Sequence, residues 1–446
     1  MRVSSIISEY NPFHEGHKYH MENAKKITNS DYTIVIMSGD FTQRGIPAII
    51  DKHARTKQAL LNGADLVLEL PVCFATASAE GFAFGAVSIL DKLRVVDSLV
   101  FGSECGDIDC IKNMADFLVS EPAEYKERLQ FFLKQGLSFP KARANVLGEV
   151  FFDLDENFLS SSNNILGIEY CRALKQFNSS IVPMTITRKD NLYHDEKLAE
   201  TGKLSSATAI RKVLMDGDFK KHRSSLIKPK QLNDVNSPII LNSYTEQRIS
   251  PVPNIFCRLS SYVPENSLNI LKDNWGISTP VSSDDFSVLL KYKLLLENRK
   301  SLTGYLDITS DLADRICNNL NSYQDFDSFC NLLKTKELTY TRIARSLLHI
   351  LLDIKKNDYD LYKKDYGQYA RILGFRKEAS PLLHEIKKYS SIPLVSKLSD
   401  SVKELDGIAL SMLEKDIQAT HIYESVVADK FRQEFRNEFR RQLVIV

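Results

Sequence analysis

Three of the chain's nine histidines fall within eleven positions, in the segment YNPFHEGHKYH at residues 10–20. Two of them, His14 and His17, lie on either side of Gly16. An imidazole can donate a hydrogen bond to a phosphate oxygen and so stabilise the charge that develops when pyrophosphate leaves an α-phosphate. A glycine leaves room for a ribose or a base beside the backbone. These residues and their spacing predict a nucleotide-binding turn that suits ATP.

The same histidines allow two other interpretations. His14, His17 and His20 could bind a metal ion, but the spacing HxxHxxH does not place three ligands on one helix face, and no cysteine or aspartate cluster accompanies them. We therefore predict no metal bound by protein side chains. His20, taken alone, is expected to be an ordinary surface or core histidine.

A second motif, LSSATAIRKVL at residues 204–214, also suits a phosphate chain. It predicts Ser205, Ser206 and Thr208 at a helix N-terminus with Arg211 in the first turn, so that hydroxyls, unpaired N–H groups and a guanidinium converge. Taken alone, the motif is more simply a Ser/Thr helix cap. In combination with the HxGH segment it favours a triphosphate site.

Short apolar runs alternate with helical periods through the first half of the chain. Because these runs are nearly continuous, they are typical of strands that are buried on both faces of a parallel sheet. The βα repeats predict a doubly wound, Rossmann-like α/β fold whose ligands bind at the carboxyl ends of the strands. The five predicted strands are Val3–Ser8, Tyr32–Ser38, Asp65–Leu70, Asp97–Gly102 and Ser180–Arg188.

The chain has 446 residues, which suits two or three domains. In its last third, apolar residues recur at helical spacing, as in TRIARSLLHILLDI. The stretch before it contains prolines and polar residues and is typical of a linker. We predict an ATP-binding domain at 1–225, a linker or irregular segment at 226–280 and a mainly helical domain at 281–446.

Composition restricts the partners and the compartment. The net charge of +1 provides no overall positive field, so nucleic-acid binding must depend on local patches, and we expect no DNA partner. No apolar run approaches the length of a membrane span, and the N-terminus has no signal-peptide pattern. Seven scattered cysteines without a CxxC pair favour a reducing compartment. We expect a cytoplasmic protein and leave its oligomeric state open.

Together, HxGH and SSxTxIR resemble the HIGH-type nucleotidyltransferase superfamily. A longer match is similar to the bacterial tRNA(Met) cytidine acetate ligase family. It consists of ISEYNPFHEGHKYH, MSGDFTQRGIPAI, ADLVLELP, FGSECGD, SNNILGIEY, SSATAIR, SDDFSVLLKYKLL, LTYTRIARSLLHILL and ARILGF. The resemblance implies that acetate and ATP form acetyl-adenylate and pyrophosphate, with Mg²⁺ accompanying the nucleotide. The acetyl group then passes to N4 of the wobble cytidine of elongator tRNA(Met).

The resemblance also implies a set of nucleotide contacts. These are Ile7, Ser8, Glu9, Tyr10, Asn11, Pro12, Phe13, His14, Glu15, Gly16, His17, Lys18, Tyr19, His20, Gly102, Asn163 and Arg188. To them our interpretation of the second motif adds Ser206, Thr208 and Arg211. The catalytic residues that we predict are His14 and His17 with Asp40 and Arg44 from SGDFTQRG.

Arg44 could hold the acetate carboxylate bidentately, and Asp40 could orient a histidine or the attacking amine. For Arg44 an exposed loop arginine is the simpler interpretation, and Asp40 is equally open to a structural one. Cys105 allows a thioester hypothesis, but we favour an inert buried thiol.

For RNA contacts we predict Lys334, Lys336, Tyr340, Arg342 and Arg345, where basic and aromatic residues alternate in the helical part. A solvated helix face explains that pattern equally well. The stretches KKYSSIPLVSK and FRQEFRNEFRRQ are further possibilities, although the second is more typical of a charged amphipathic helix or tail.

Two rival functions share the motifs. The first is an adenylyltransferase that makes a small nucleotide cofactor, which would not need some 200 additional residues. The second is a non-catalytic ATP- or RNA-binding module. Both histidines, Gly16 and Arg211 are present, so nothing in the sequence indicates a degenerate site.

Overall fold

The computed structural model describes residues 1–137, 139–151, 158–188, 198–199, 204–216 and 255–446. Within these ranges, eight strands form one sheet in the order β5-β4-β1-β2-β3-β6-β7, with β8 beside β6. The strands are β1 Val3–Ser8, β2 Tyr32–Ser38, β3 Leu66–Leu70, β4 Ser98–Ser103, β5 Val182–Thr187, β6 Ala370–Phe375, β7 Leu394–Val395 and β8 Val444–Ile445.

Helices cover both faces of the sheet and make up most of the C-terminal part. In the first half they are α1 Glu15–Thr28, α2 Lys52–Leu61, α3 Val72–Ala75, α4 Ala79–Lys92, α5 Ile108–Ser120, α6 Ala123–Lys134, α7 Phe139–Val150, α8 Ser162–Gln176 and α9 Ala207–Asp216. After residue 254 they are α10 Ile255–Leu259, α11 Glu265–Asn274, α12 Ser287–Leu295, α13 Arg299–Leu302, α14 Ser310–Asn319, α15 Phe326–Leu333, α16 Tyr340–Leu351, α17 Lys356–Tyr362, α18 Ser380–Tyr389, α19 Leu398–Glu404 and α20 Gly407–Phe431.

The first five strands are parallel, and each differs from its predicted bounds by at most two residues. The strand β1 pairs with both β2 and β4, because the chain adds β2 and β3 on one side and then returns to add β4 and β5 on the other. In doubly wound sheets, ligands bind at this reversal of strand order. The predicted α/β fold with a mainly helical C-terminal part is confirmed.

The C-terminal part also extends the sheet. The strand β6 pairs antiparallel with β3 and places Arg371 opposite Glu69. Residues of the first and third predicted domains therefore share one sheet and one apolar core. The three-part division of the chain stays a prediction.

The segment predicted as a linker, 226–280, lies partly outside the described residues, at 226–254. For residues 255–274 the prediction of irregular structure is wrong, because α10 and α11 form there. Their apolar side chains pack with those of α2 and α9, and this contact explains why a polar, proline-containing region still folds into helices.

A buried ionic cluster joins the two parts of the chain. The Lys52 ammonium lies 2.8 Å from Glu69 and 3.0 Å from Glu438, and Arg371 lies 2.9 Å from Glu69. The prediction that residues 431–442 form a charged amphipathic helix or tail is therefore wrong. After Phe431 the segment is irregular apart from a 3₁₀ turn at Glu438–Arg440. Glu438 is buried in the cluster and Arg441 pairs with Glu424 at 3.1 Å, whereas Arg432, Glu434 and Arg440 are exposed. In the described part of the chain, no helix has the length and apolar character needed to cross a membrane.

Candidate active site

A cavity opens at the carboxyl ends of β1 and β4, where the strand order reverses. It brings together most of the predicted contacts: Ile7, Ser8, Glu9, Tyr10, Asn11, His14, Gly16, His17, Tyr19, His20, Arg44, Gly102, Asn163, Arg188, Ser206, Thr208 and Arg211. Pro12, Phe13, Glu15, Lys18 and Asp40, all described residues, lie outside its lining. Motifs separated by almost 200 residues therefore meet in one place.

His14 and His17 form the N-terminal cap of α1. The Nδ1 atom of His14 accepts a hydrogen bond from the Gly16 amide at 3.1 Å, and Nδ1 of His17 accepts one from the His14 amide at 3.3 Å. The two rings stack with their centres 3.7 Å apart. A Cβ at Gly16 would lie 2.9 Å from the His14 ring, so the glycine leaves space for this arrangement.

The protonation state of the two rings follows from these contacts. Burial, with Arg188 and Arg211 nearby, lowers the pKa of His14 to about 3. Burial and the neighbouring His14 hold the pKa of His17 well below its ordinary value. Because each neutral ring uses Nδ1 as an acceptor, its proton is on Nε2. The site therefore presents two uncharged Nε2–H donors at a helix N-terminus, which attracts anions.

His20 also lines the cavity, and both interpretations of it, an ordinary surface or core histidine and a nucleotide contact, stay predictions. Burial lowers its pKa to about 4, and its ring donates a hydrogen bond to the Phe101 carbonyl. Its Nε2 is buried without a hydrogen-bond partner among the described residues. In the neutral ring that nitrogen is an acceptor, unlike those of His14 and His17.

The second motif begins α9, which points its N-terminus at the cavity. The Ser206 hydroxyl accepts a hydrogen bond from the Ala209 amide at 3.0 Å. Arg211 is the fifth residue of the helix rather than a residue of its first turn. Its guanidinium donates to the Asn11 carbonyl at 2.7 Å and to the Thr208 hydroxyl at 3.1 Å. Arg211 thus joins the second motif to the HxGH loop.

The SGDFTQRG segment follows β2 and separates two predicted catalytic residues. Arg44 lines the cavity, and the neighbouring Gln43 amide donates to the Glu9 carboxylate at 2.7 Å. Asp40 is buried, and one of its carboxylate oxygens accepts from the Lys52 amide at 2.8 Å. Gly45 lies directly against the backbone of α16. Asp40 supports the loop, whereas Arg44 faces the site.

The ends of β4 and β5 complete the cavity. A Cβ at Gly102 would lie 3.3 Å from Cγ of Arg188, so the glycine lets the arginine approach the sheet. Cys105 lies outside the lining, with its sulfur 3.7 Å from the Ser103 hydroxyl, and the described structure gives it no part in the site. All seven cysteines are free thiols.

Several lining residues were not predicted. They are Ile6, Thr42, Ile46, Phe82, Phe101, Leu166, Tyr170, Ile186, Thr187, Leu204 and Ala207. Most are apolar or flank a predicted residue. A position at the carboxyl end of a strand could have identified Ile186 and Thr187, but nothing in the local sequence marks Phe82 or Tyr170.

The predicted RNA contacts are dispersed around α16. Lys334 and Lys336 are exposed in the loop before this helix, and Arg342 is half-buried. The Tyr340 hydroxyl donates to Asp327 at 2.6 Å, and Arg345 forms an ion pair with Asp307 at 3.3 Å. The two lysines are therefore the most accessible members of the set. Among the described residues, no group of three or more His, Cys, Asp or Glu side chains is arranged to hold a metal ion.

Comparisons with known proteins agree with this geometry. The HIGH Nucleotidyl Transferase family model matches residues 1–438. The chain is 41% identical over 431 residues to a tRNA(Met) cytidine acetate ligase of Clostridium perfringens, covering 95% of both chains. It is 38% identical over 450 residues to that of Acetivibrio thermocellus, covering 100% of both.

A crystal structure of Thermotoga maritima TmcAL bound with alpha-thio ATP is similar over 100% of both chains, with a TM-score of 0.84 and 31% sequence identity. The apo form of that protein gives a TM-score of 0.85. The match extends over the sheet, the cavity and the helical part alike. The chain therefore belongs to the HIGH nucleotidyl transferase family, and within it to the family of the tRNA(Met) cytidine acetate ligases.

Proposed function

We propose that this chain is an ATP-dependent ligase that activates acetate as acetyl-adenylate and acetylates N4 of the wobble cytidine of elongator tRNA(Met). The observation that carries the proposal is the pair of neutral, Nε2-donating histidines at the strand-order reversal. They occur in a chain that is 41% identical to a tRNA(Met) cytidine acetate ligase over 95% of its length.

In the first step, a carboxylate oxygen of acetate attacks the α-phosphate of ATP, and the bond to pyrophosphate breaks. Negative charge grows on the phosphate oxygens, where the Nε2–H donors of His14 and His17 stabilise it. The N-terminus of α9 and the Arg211 guanidinium suit the triphosphate chain. Mg²⁺ bound to the nucleotide would neutralise part of its charge.

Arg44 is the proposed ligand of the acetate carboxylate, because it lines the cavity and a guanidinium can bind both carboxylate oxygens. The buried position of Asp40 favours a different role from the one predicted. By accepting from the Lys52 amide, it holds the loop that carries Arg44 against α2. We propose Asp40 as a positioning residue.

In the second step, the N4 amine of cytidine attacks the acetyl carbonyl, AMP leaves, and the amine loses a proton. The tRNA must place its anticodon at the cavity, and α16 provides a route because its backbone contacts the loop of Arg44 at Gly45. Lys334 and Lys336 lie in the loop before α16 and suit tRNA phosphates. A tRNA substrate and seven free thiols both favour the cytoplasm.

Acetate-dependent exchange of labelled pyrophosphate into ATP, without tRNA, tests the first step. We expect exchange to require acetate and Mg²⁺. Exchange at full rate without acetate, but with dependence on a phosphorylated small molecule, would instead identify a cofactor-making adenylyltransferase.

The proposed RNA contacts are tested separately, by changing Lys334 and Lys336 together to alanine. Each lost phosphate contact should make the slope of log tRNA affinity against log salt concentration shallower by about one unit. Exchange of pyrophosphate into ATP without tRNA should be unchanged. The matched control changes Lys126 and Lys134, which are exposed on α6. Equal tRNA affinity in the test and control variants would remove this loop from the RNA surface.

A further inference from the structure

Glu104, the first residue after β4, is joined to the N-terminus of α8 by reciprocal hydrogen bonds. Its carboxylate accepts from Nδ2 of Asn163 at 2.6 Å and from the Asn164 amide at 3.0 Å. In return, Oδ1 of Asn164 accepts from the amides of Glu104 and Cys105, at 2.9 and 3.1 Å. These four contacts hold Glu104 and Asn163 in one orientation.

The orientation decides which end of the Asn163 amide faces the cavity. An ionised carboxylate only accepts hydrogen bonds, so the atom of Asn163 that contacts Glu104 must be the donor, Nδ2. The carbonyl oxygen Oδ1 is then turned away from Glu104. Asn163 lines the cavity, and Oδ1 is the amide atom that the contact with Glu104 leaves for a ligand.

The surroundings of Asn163 suit a flat aromatic ring. Leu166 and Tyr170 follow it at helical spacing on α8 and line the same cavity, and Phe101 lines it from β4. Gly167 lets this wall form, since a Cβ there would lie 2.6 Å from the Phe101 ring. The histidines and arginines that suit phosphates come from other elements, α1, α9 and the end of β5.

The geometry points to Asn163 as the residue that selects the nucleobase, with its Oδ1 accepting a hydrogen bond from the exocyclic amine of adenine. Glu104 is a positioning residue that fixes the polarity of this amide. Hypoxanthine and guanine carry an oxygen at the same ring position and would oppose the acceptor. The inference rests on the proposed function only in taking ATP as the nucleotide.

Nucleotide competition tests the inference. We would compare kcat/KM for acetate-dependent exchange with ATP, inosine triphosphate and purine riboside triphosphate, which lacks the amine. One hydrogen bond corresponds to roughly tenfold, so the wild type should prefer ATP to purine riboside triphosphate by about that factor, mainly through KM. In Asn163→Leu the preference should disappear.

Glu104→Gln separates positioning from a structural role. A glutamine can donate as well as accept, so the Asn163 amide can turn over, and the preference for ATP over inosine triphosphate should fall roughly tenfold. Glu124→Gln, an exposed change on α6, is the control and should keep the wild-type ratio. Equal losses with all three nucleotides in Glu104→Gln would overturn the positioning role.

Failure of the inference and failure of the proposed function give different results. If exchange depends on acetate but ATP and purine riboside triphosphate are equivalent for the wild type, the function stands and the inference is wrong. If exchange does not depend on acetate, calorimetric binding of the same nucleotides makes the same comparison. If Asn163→Leu loses discrimination against 3′-deoxy-ATP but keeps the wild-type preference for ATP over purine riboside triphosphate, Asn163 contacts the ribose and the inference is overturned.

Discussion

Replacing His14 by asparagine should separate its structural and catalytic contributions. The Nδ1 atom of His14 caps α1 by accepting from the Gly16 amide, while Nε2–H is the proposed donor to the α-phosphate. Asparagine can place its Oδ1 where Nδ1 lies, but it has no donor at the position of Nε2. Loss of a helix cap costs about 1 kcal/mol, and loss of one donor to a transition-state oxyanion costs about 10²–10³ in rate, or about 3–4 kcal/mol.

We therefore expect His14→Asn to unfold in urea with a free energy within about 0.5 kcal/mol of the wild type, because the cap is kept. Acetate-dependent exchange should nevertheless fall by about 10² or more. His14→Ala should lose both the helix cap and the Nε2 donor, so its free energy of unfolding should be about 1 kcal/mol lower than that of the wild type. If His14→Asn retains exchange within about threefold of the wild type, the Nε2 donor is not used in the transition state and this account of the histidine pair is wrong.

Two further predictions concern the effect of pH on stability and kcat/KM, and the contact between Gly45 and α16. The pKa of His14 is lowered to about 3 and that of His20 to about 4, so both stay neutral in the folded protein above about pH 5. Because the unfolded chain takes up these protons below about pH 6.5, urea unfolding should show stability falling between about pH 6.5 and 4, and kcat/KM for Mg-ATP should show no histidine inflection near 6.5. A free energy of unfolding that increases as the pH is lowered from about 6.5 to 4 would contradict the burial of neutral rings. Gly45→Ala should lower the thermal midpoint more than Gly136→Ala, because both glycines have positive φ but only Gly45 lies against α16. Equal shifts would mean that α16 does not press on the loop.

Local patterns were sufficient to predict the nucleotide-binding half of the fold. Continuous Val/Ile/Leu runs identify β1 to β5 because both faces of a parallel sheet are buried. The HxGH segment could be placed at the first turn because it follows the first such run directly. His17 and Arg211 line the same cavity, as expected from the general rule that ligands bind where the strand order reverses.

Long-range pairing could not be predicted in the same way. Nothing local to Arg371 indicates that β6 lies antiparallel beside β3, opposite Glu69. Lys52 and Glu438 belong to segments that look like solvated charged faces, and only their mutual contact allows both to be buried. Glu104 was not predicted as a site residue for the same reason, because its proposed positioning role depends on the side-chain amide of Asn163 in α8, which is distant in sequence.

The central claim is that the chain transfers acetate to cytidine in tRNA, and mass spectrometry of tRNA nucleosides tests it most directly. Elongator tRNA(Met) would be incubated with the protein, ATP, Mg²⁺ and isotopically labelled acetate, and then digested to nucleosides. We predict N4-acetylcytidine that carries the label at the wobble position, with one AMP and one pyrophosphate formed per acetyl group. Unmodified cytidine at the wobble position of the tRNA, after incubation with folded protein that consumes ATP, would contradict the account. N4-acetylcytidine whose acetyl group lacks the label would contradict it as well.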